Sequence, residues 1–168
     1  DLADLPGALP VPLEQHFEPD LQRWTAYAYG HWQALERLSL IGGLSYDYLR
    51  FPTDYRFAPV TDGEDTRDQW SPKAGLVWKM TDTSTLRAGY TWSLAGVSLD
   101  QSVRLEPSQV AGFNQSWRSL IPESVAGAQA GAKLENASLE WDQRFNTGTY
   151  FAIRGDLYRS KLERQVGV

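Results

Sequence analysis

The chain contains no cysteine, one methionine and two histidines in 168 residues. Without cysteine there are no disulfides, no thiolate metal site and no thiol nucleophile. With only His16 and His31, nucleophile–base pairs are scarce. His16 lies near Glu14 in a proline-rich stretch, which is a poor frame for a metal, so no metal site and no cofactor are expected. No glycine-rich phosphate loop occurs. The net charge of −5 gives no basic surplus, and the basic residues are scattered, so no nucleic-acid partner is expected. No run approaches the ~18 apolar residues of a membrane helix, and no leader peptide is visible. Helical periodicity is weak throughout.

Aromatic residues, by contrast, are plentiful: seven Trp, eight Tyr and six Phe, with fourteen Gly. They lie on a period of two. The clearest stretch is WSPKAGLVWKMTDTSTLRAGYTWSL, residues 70–94. Outside the turn its even positions are apolar or small, whereas Lys73, Lys79 and Arg87 fall on odd ones. Two amphipathic strands around the polar turn Thr81-Asp82-Thr83-Ser84 are predicted. The same alternation marks strands at about 21–35, 37–51, 132–145 and 149–160, the last two flanking the turn Asn146-Thr147-Gly148. In 24–34, 38–48, 70–80 and 84–94 there are 24 even positions; 20 are apolar or aromatic and none is charged. The 42% hydrophobic composition would supply about ten by chance.

The rest reads as connection. Residues 1–20 carry Pro6, Pro10, Pro12 and Pro19 and form a lead-in. Residues 51–69 form a polar loop rich in Asp62, Glu64, Asp65 and Asp68, without the spacing of an EF-hand. Residues 95–131 have no sustained period; 99–104 is a candidate short strand, and 112–120 a short helix or binding loop. Short turns thus alternate with long loops, as in outer-membrane barrels with short periplasmic turns and long external loops.

Alternation does not say which face is wet. A soluble barrel turns its apolar face inward, and a membrane barrel turns it to lipid. Strand lengths of ~10–15 residues favour the membrane, since a spanning tilted strand needs ~9–11. The fold class expected is all-β, an antiparallel up-and-down transmembrane β-barrel segment over 21–168, about six strands of a larger barrel. Trp24, Trp32, Tyr46, Trp78, Tyr90, Trp92 and Trp141 are expected to face lipid as interfacial aromatics. Arg23, His31, Asp47, Lys73, Arg87, Glu140, Asp142 and Arg154 are expected to face the lumen, where opposite charges pair across strands. Arg104, Asn114, Trp117 and Arg118 are candidate ligand contacts in the long loop. Glu140 and Asp142 share a face, but a ladder with Arg144 and Arg154 accounts for them without acid–base chemistry, so no enzyme is expected.

The run SPKAGLVWKMTDTSTLRAGYTWSL (71–94) resembles the barrel of TonB-dependent outer-membrane receptors. The family's strand–turn–strand pattern is matched by Ser71, Pro72, Gly75, Leu76, Trp78, Lys79, Thr81, Asp82, Thr85, Leu86, Arg87, Ala88, Tyr90 and Ser93. The preceding LSLIGGLSYDY (38–48) is similar to the strand usually placed before it. The segment RLEPSQVAGFNQSWRSLIPES (104–124) departs from the receptor pattern and looks more like barrels that occur with tetratricopeptide repeats. The resemblance implies a bacterial, Gram-negative outer-membrane location and uptake of a small ligand. The implied partners are outer-membrane lipid, the remainder of the barrel, and TonB through a plug that is not in these 168 residues. The alternatives are an export or anchoring barrel coupled to periplasmic repeats, as in polysaccharide secretion, and a soluble β-rich binding module.

Overall fold

The computed structural model describes residues 20–52, 63–96, 106–115 and 131–162. Six long strands form one antiparallel sheet: β1 (Gln22–Leu35), β2 (Leu38–Pro52), β3 (Glu64–Lys79), β4 (Ser84–Leu94), β7 (Lys133–Arg144) and β8 (Tyr150–Lys161). A small second sheet pairs β5 (Gln109–Val110) with β6 (Phe113–Asn114). The order β1-β2-β3-β4-β7-β8 is a plain up-and-down meander. Among the described residues β1 and β8 each keep one unpaired edge, so the sheet is a barrel segment and does not close.

The sequence explains the meander. Strands joined by a few polar residues can only pair antiparallel with their neighbours. β1 and β2 are joined through Glu36 and Arg37, β3 and β4 through 80–83, and β7 and β8 through 145–149. In the last turn Gly148 takes φ 79°, a conformation costly for other residues. All three short turns lie at one end of the sheet, and the strand ends Pro52, Glu64, Leu94 and Lys133 lie at the other.

The registers hold the apolar set on one face. Trp24 faces Tyr48, Tyr46 faces Trp70, Leu38 faces Trp78, Leu86 faces Trp141, and Tyr90 faces Ala137. These side chains point away from the rest of the protein: Trp24, Trp32 and Trp70 are 72%, 64% and 60% exposed. Tyr46 is half-buried because Trp70 lies over it at a ring separation of 4.9 Å. Trp141 is half-buried between Phe151, 5.9 Å away, and Ser84, to whose Oγ it donates a 2.8 Å bond. The aromatics fall in two belts. Trp24 and Trp32 are eight residues apart, as are Trp70 and Trp78. At about 3.3 Å per residue that is roughly 26 Å along a strand, or about 20 Å of height at the ~40° tilt of a membrane barrel, which spans most of its ~25 Å apolar band. Small and aliphatic residues such as Ala28, Leu44, Ala74 and Leu139 fill the band between them.

The other face is polar yet buried. Ser45, Asp47, Gln69, Ser71, Lys73, Thr91, Ser93, Asn136 and Ser138 are all buried. Burial here is inverted relative to a soluble barrel, with apolar side chains out and polar side chains covered.

Two expectations about the connections are corrected. β3 begins at Glu64, so residues 64–69 are strand and not loop; Leu49 faces Arg67 and Phe51 faces Asp65. Residues 112–115 are not helical: Phe113 and Asn114 are strand, and Gly112 is in the turn before them. The candidate strand 99–104 and the lead-in 1–19, with Glu14 and His16, lie outside the described residues.

Candidate functional site: a hairpin on the polar face

The β5–β6 hairpin lies on the polar face of the sheet. Its turn is Ala111-Gly112, with φ of 54° and 92°. Both central residues are left-handed, as a type I′ turn requires. Ala111 is strained there, because a non-glycine residue in this region costs about 1–2 kcal/mol. Packing holds it in place. Val110, Ala111 and Phe113 form a buried cluster with Tyr29, Ile41 and Val77.

The floor beneath them is made by glycine. Gly75 on β3 and Gly89 on β4 are directly opposite each other. A Cβ on Gly75 would lie 2.7 Å from Val110 Cγ1 and 3.0 Å from Ala111 Cβ. A Cβ on Gly89 would lie 2.7 Å from Phe113 Cδ2. Both contacts are shorter than real side chains tolerate, so the hairpin fits only because these positions have no side chain. Gly43 does the same for the Tyr29 ring. Gly75→Val is expected to destabilise the protein by about 1–3 kcal/mol, the usual cost of overpacking. Gly30→Val on the opposite face, where a Cβ meets nothing within 4 Å, should be near neutral. Denaturant titration of the two variants checks this.

Polar contacts fasten the base of the hairpin. The Lys73 ammonium donates to Glu106 Oε1, and the two side chains are 1% and 5% exposed. Tyr29 Oη donates to the same carboxylate oxygen at 2.5 Å. Gln115 Nε2 donates to Pro107 O at 2.6 Å and to Tyr29 Oη at 2.9 Å. Asn136 Nδ2 donates to Asn114 O at 3.2 Å, and the Arg154 guanidinium stands 5.0 Å from the Phe113 ring centroid.

Ion pairs flank the hairpin on both sides. Towards the short turns, Arg87 Nη1 binds Glu140 at 2.9 Å and reaches Asp142 at 3.4 Å. Arg154 pairs with Asp156 at 2.8 Å and with Glu140 at 3.9 Å. Towards the long connections, Arg23 Nη2 donates to the buried Asp47 at 2.6 Å, and Thr25 Oγ1 donates to the same oxygen at 2.7 Å. Chemically this face is a largely paired polar wall with a hairpin across it, in which Ser45 Oγ and Gln69 Oε1 are buried without a hydrogen-bond partner among the described residues.

The structure places Arg23, Asp47, Lys73, Arg87, Glu140, Asp142 and Arg154 on this face. His31 shares it, opposite Ile41, but is exposed. Asn114 is in the hairpin: its carbonyl is bonded to Asn136, and its exposed side-chain amide accepts from Gln109. Arg104, Trp117 and Arg118 lie outside the described residues. Sequence reasoning passed over Tyr29, Glu106, Val110, Phe113 and Gln115. A usable signal was Gly75 and Gly89, two glycines on the polar face of a strong hairpin. Among the described residues no group of His, Asp and Glu is arranged to hold a metal.

An open up-and-down sheet with a belted apolar exterior and a charged interior face is the wall of an outer-membrane-type barrel. Residues 4–164 match the family model described as TonB dependent receptor-like, beta-barrel. The chain therefore belongs to the TonB-dependent receptor β-barrel family. No curated protein and no solved structure was found to match it. Membership in this family implies an outer-membrane receptor or transporter role in general, embedded in that membrane and working with TonB.

Proposed function

We propose that this chain forms part of a lumen wall through which a Gram-negative bacterium takes up a small ligand. The observation that carries the reading is the hairpin 106–115, folded onto the charged face and seated on Gly75 and Gly89. A barrel built only as an anchor has no need to cover its lumen face; a selective one must narrow its passage. Asn114, Arg104, Trp117 and Arg118 are proposed ligand contacts. The role is transport and not catalysis, since Glu140, Asp142 and Asp156 are held by Arg87 and Arg154. The open edges of β1 and β8 require further strands, because unpaired backbone groups in hydrocarbon cost several kcal/mol each.

The test is solute flux through proteoliposomes containing the full-length protein. Deleting 106–115 should raise the flux of small polar solutes, because the segment covers the polar face. Unchanged flux in a folded deletion variant would refute the reading.

A further inference from the structure

The barrel wall splits near its long-connection end. β2 and β3 stay paired out to Pro52 and Glu64, but the β3–β4 ladder stops at Lys73 opposite Thr91. The adjacent Pro72 has no N–H to donate to a ladder. β4 runs on to Leu94 paired with β7 alone. A cavity of about 270 Å³ opens in this region, lined by Arg67, Trp92, Lys133, Glu135, Arg159 and Lys161 among others.

The charges there do not balance. Lys133 and Lys161 are direct partners in the β7–β8 ladder, and both are exposed on the lipid-facing side. Like charges directly opposite each other destabilise a sheet. Among the described residues neither has a carboxylate partner. One rung inward Arg159 faces Glu135, but their closest approach is 3.9 Å, and Glu135 already accepts a 2.8 Å bond from Tyr90 Oη. Arg67 adds a fourth cation, engaged by Asp65 at 2.9 Å. Lys133, Arg159 and Lys161 thus converge around one committed carboxylate, next to the Tyr90 and Trp92 side chains and at the polar end of the apolar face, where lipid headgroups meet the protein wall.

We propose that this cleft binds the phosphate of a membrane lipid headgroup in the leaflet on the long-connection side. Lys133, Arg159 and Lys161 donate to the phosphate oxygens, and the Trp92 ring rests on the lipid beneath. An anion there converts the Lys133–Lys161 repulsion into two charge-assisted contacts. The proposal rests on the reading of the sheet as a membrane wall.

The experiment uses the full-length protein in detergent micelles. Bisphosphorylated lipid A, its dephosphorylated form and inorganic phosphate serve as probes, and native mass spectrometry and tryptophan fluorescence give the readouts. Retention of the bisphosphorylated lipid and loss of the dephosphorylated one are expected. Lys133→Gln/Arg159→Gln/Lys161→Gln should weaken retention roughly 100-fold, each cation near an anionic surface contributing about a factor of five. Lys161→Gln alone, expected to weaken it about fivefold, covers the case in which the triple variant fails to fold. Undiminished retention by either folded variant overturns the proposal, as does inorganic phosphate that displaces the lipid. Insertion into phosphatidylcholine vesicles is measured separately: a protein that does not insert refutes the membrane reading, and one that inserts without retaining the phosphorylated lipid refutes only the headgroup site.

Discussion

Glu106→Ala is expected to destabilise the protein by about 3–5 kcal/mol, the cost of removing one partner from a buried ion pair. Lys73 extends from β3 into the polar face, and its side chain is 1% exposed. Glu106 receives both the ammonium and the Tyr29 hydroxyl. With the carboxylate gone, the ammonium stays covered by the hairpin without the Glu106 charge, and the Tyr29 hydroxyl is left to Gln115 Oε1 at 3.0 Å. The sheet can relieve this only by releasing the hairpin. The variant should therefore show protease cleavage within 106–115 as well as a lower midpoint of unfolding in denaturant. Replacing both partners separates the two parts of the effect. Lys73→Met/Glu106→Leu restores a neutral, space-filling pair and should recover most of the loss, because well-packed apolar substitutes for buried ion pairs are often neutral. A double variant as unstable as Glu106→Ala would mean that the contact's strength lies in the pair itself and that the burial argument is wrong.

The contrast between wall and hairpin shows what this sequence makes legible. Alternation over 70–94 is clear because lipid lies on one face and a polar interior on the other, so every even residue is under one constraint and every odd residue under another. Where that constraint ends, so does the signal. Glu64, Asp65, Thr66, Arg67 and Asp68 are strand, but they lie beyond the Trp70 end of the belt, with polar and charged residues on both faces. Nothing there forces alternation, and the segment reads as a loop. The hairpin is hidden for a different reason. Each of its strands has two residues, and its turn is Ala-Gly where Asn-Gly would have announced it. Its apolar residues are satisfied by Tyr29, Ile41 and Val77, all distant in sequence. Ala111 itself accepts a left-handed φ because its methyl group fits over Gly75. Such a choice follows from the tertiary fit and not from any local preference. The paired charges were easier to read, since Arg87, Glu140 and Arg154 sit on successive strands at matching registers.

Leu44→Arg decides whether the apolar face meets lipid or water. Leu44 lies between the two aromatic belts, next to the Tyr46–Trp70 pair, and is 44% exposed. In water, arginine at an exposed strand position with no buried contact to lose changes stability by no more than about 0.5 kcal/mol. Within the apolar band of an outer-membrane bilayer the same substitution costs about 2–4 kcal/mol at the midplane and less towards the belts, so about 2 kcal/mol at Leu44, one rung in from Tyr46–Trp70. The two environments thus differ by at least a factor of ten in the folding equilibrium. Gln33→Arg is the matched control, because Gln33 is exposed on the polar face and its substitution should be near neutral in either environment. Folding into phospholipid vesicles from urea, followed by tryptophan fluorescence, measures both. A Leu44→Arg variant as stable as Gln33→Arg would show that no hydrocarbon covers this face. A loss of about 2 kcal/mol confined to Leu44→Arg is expected, because hydrocarbon is the solvent that accounts for the outward-facing Trp24, Trp32 and Trp70.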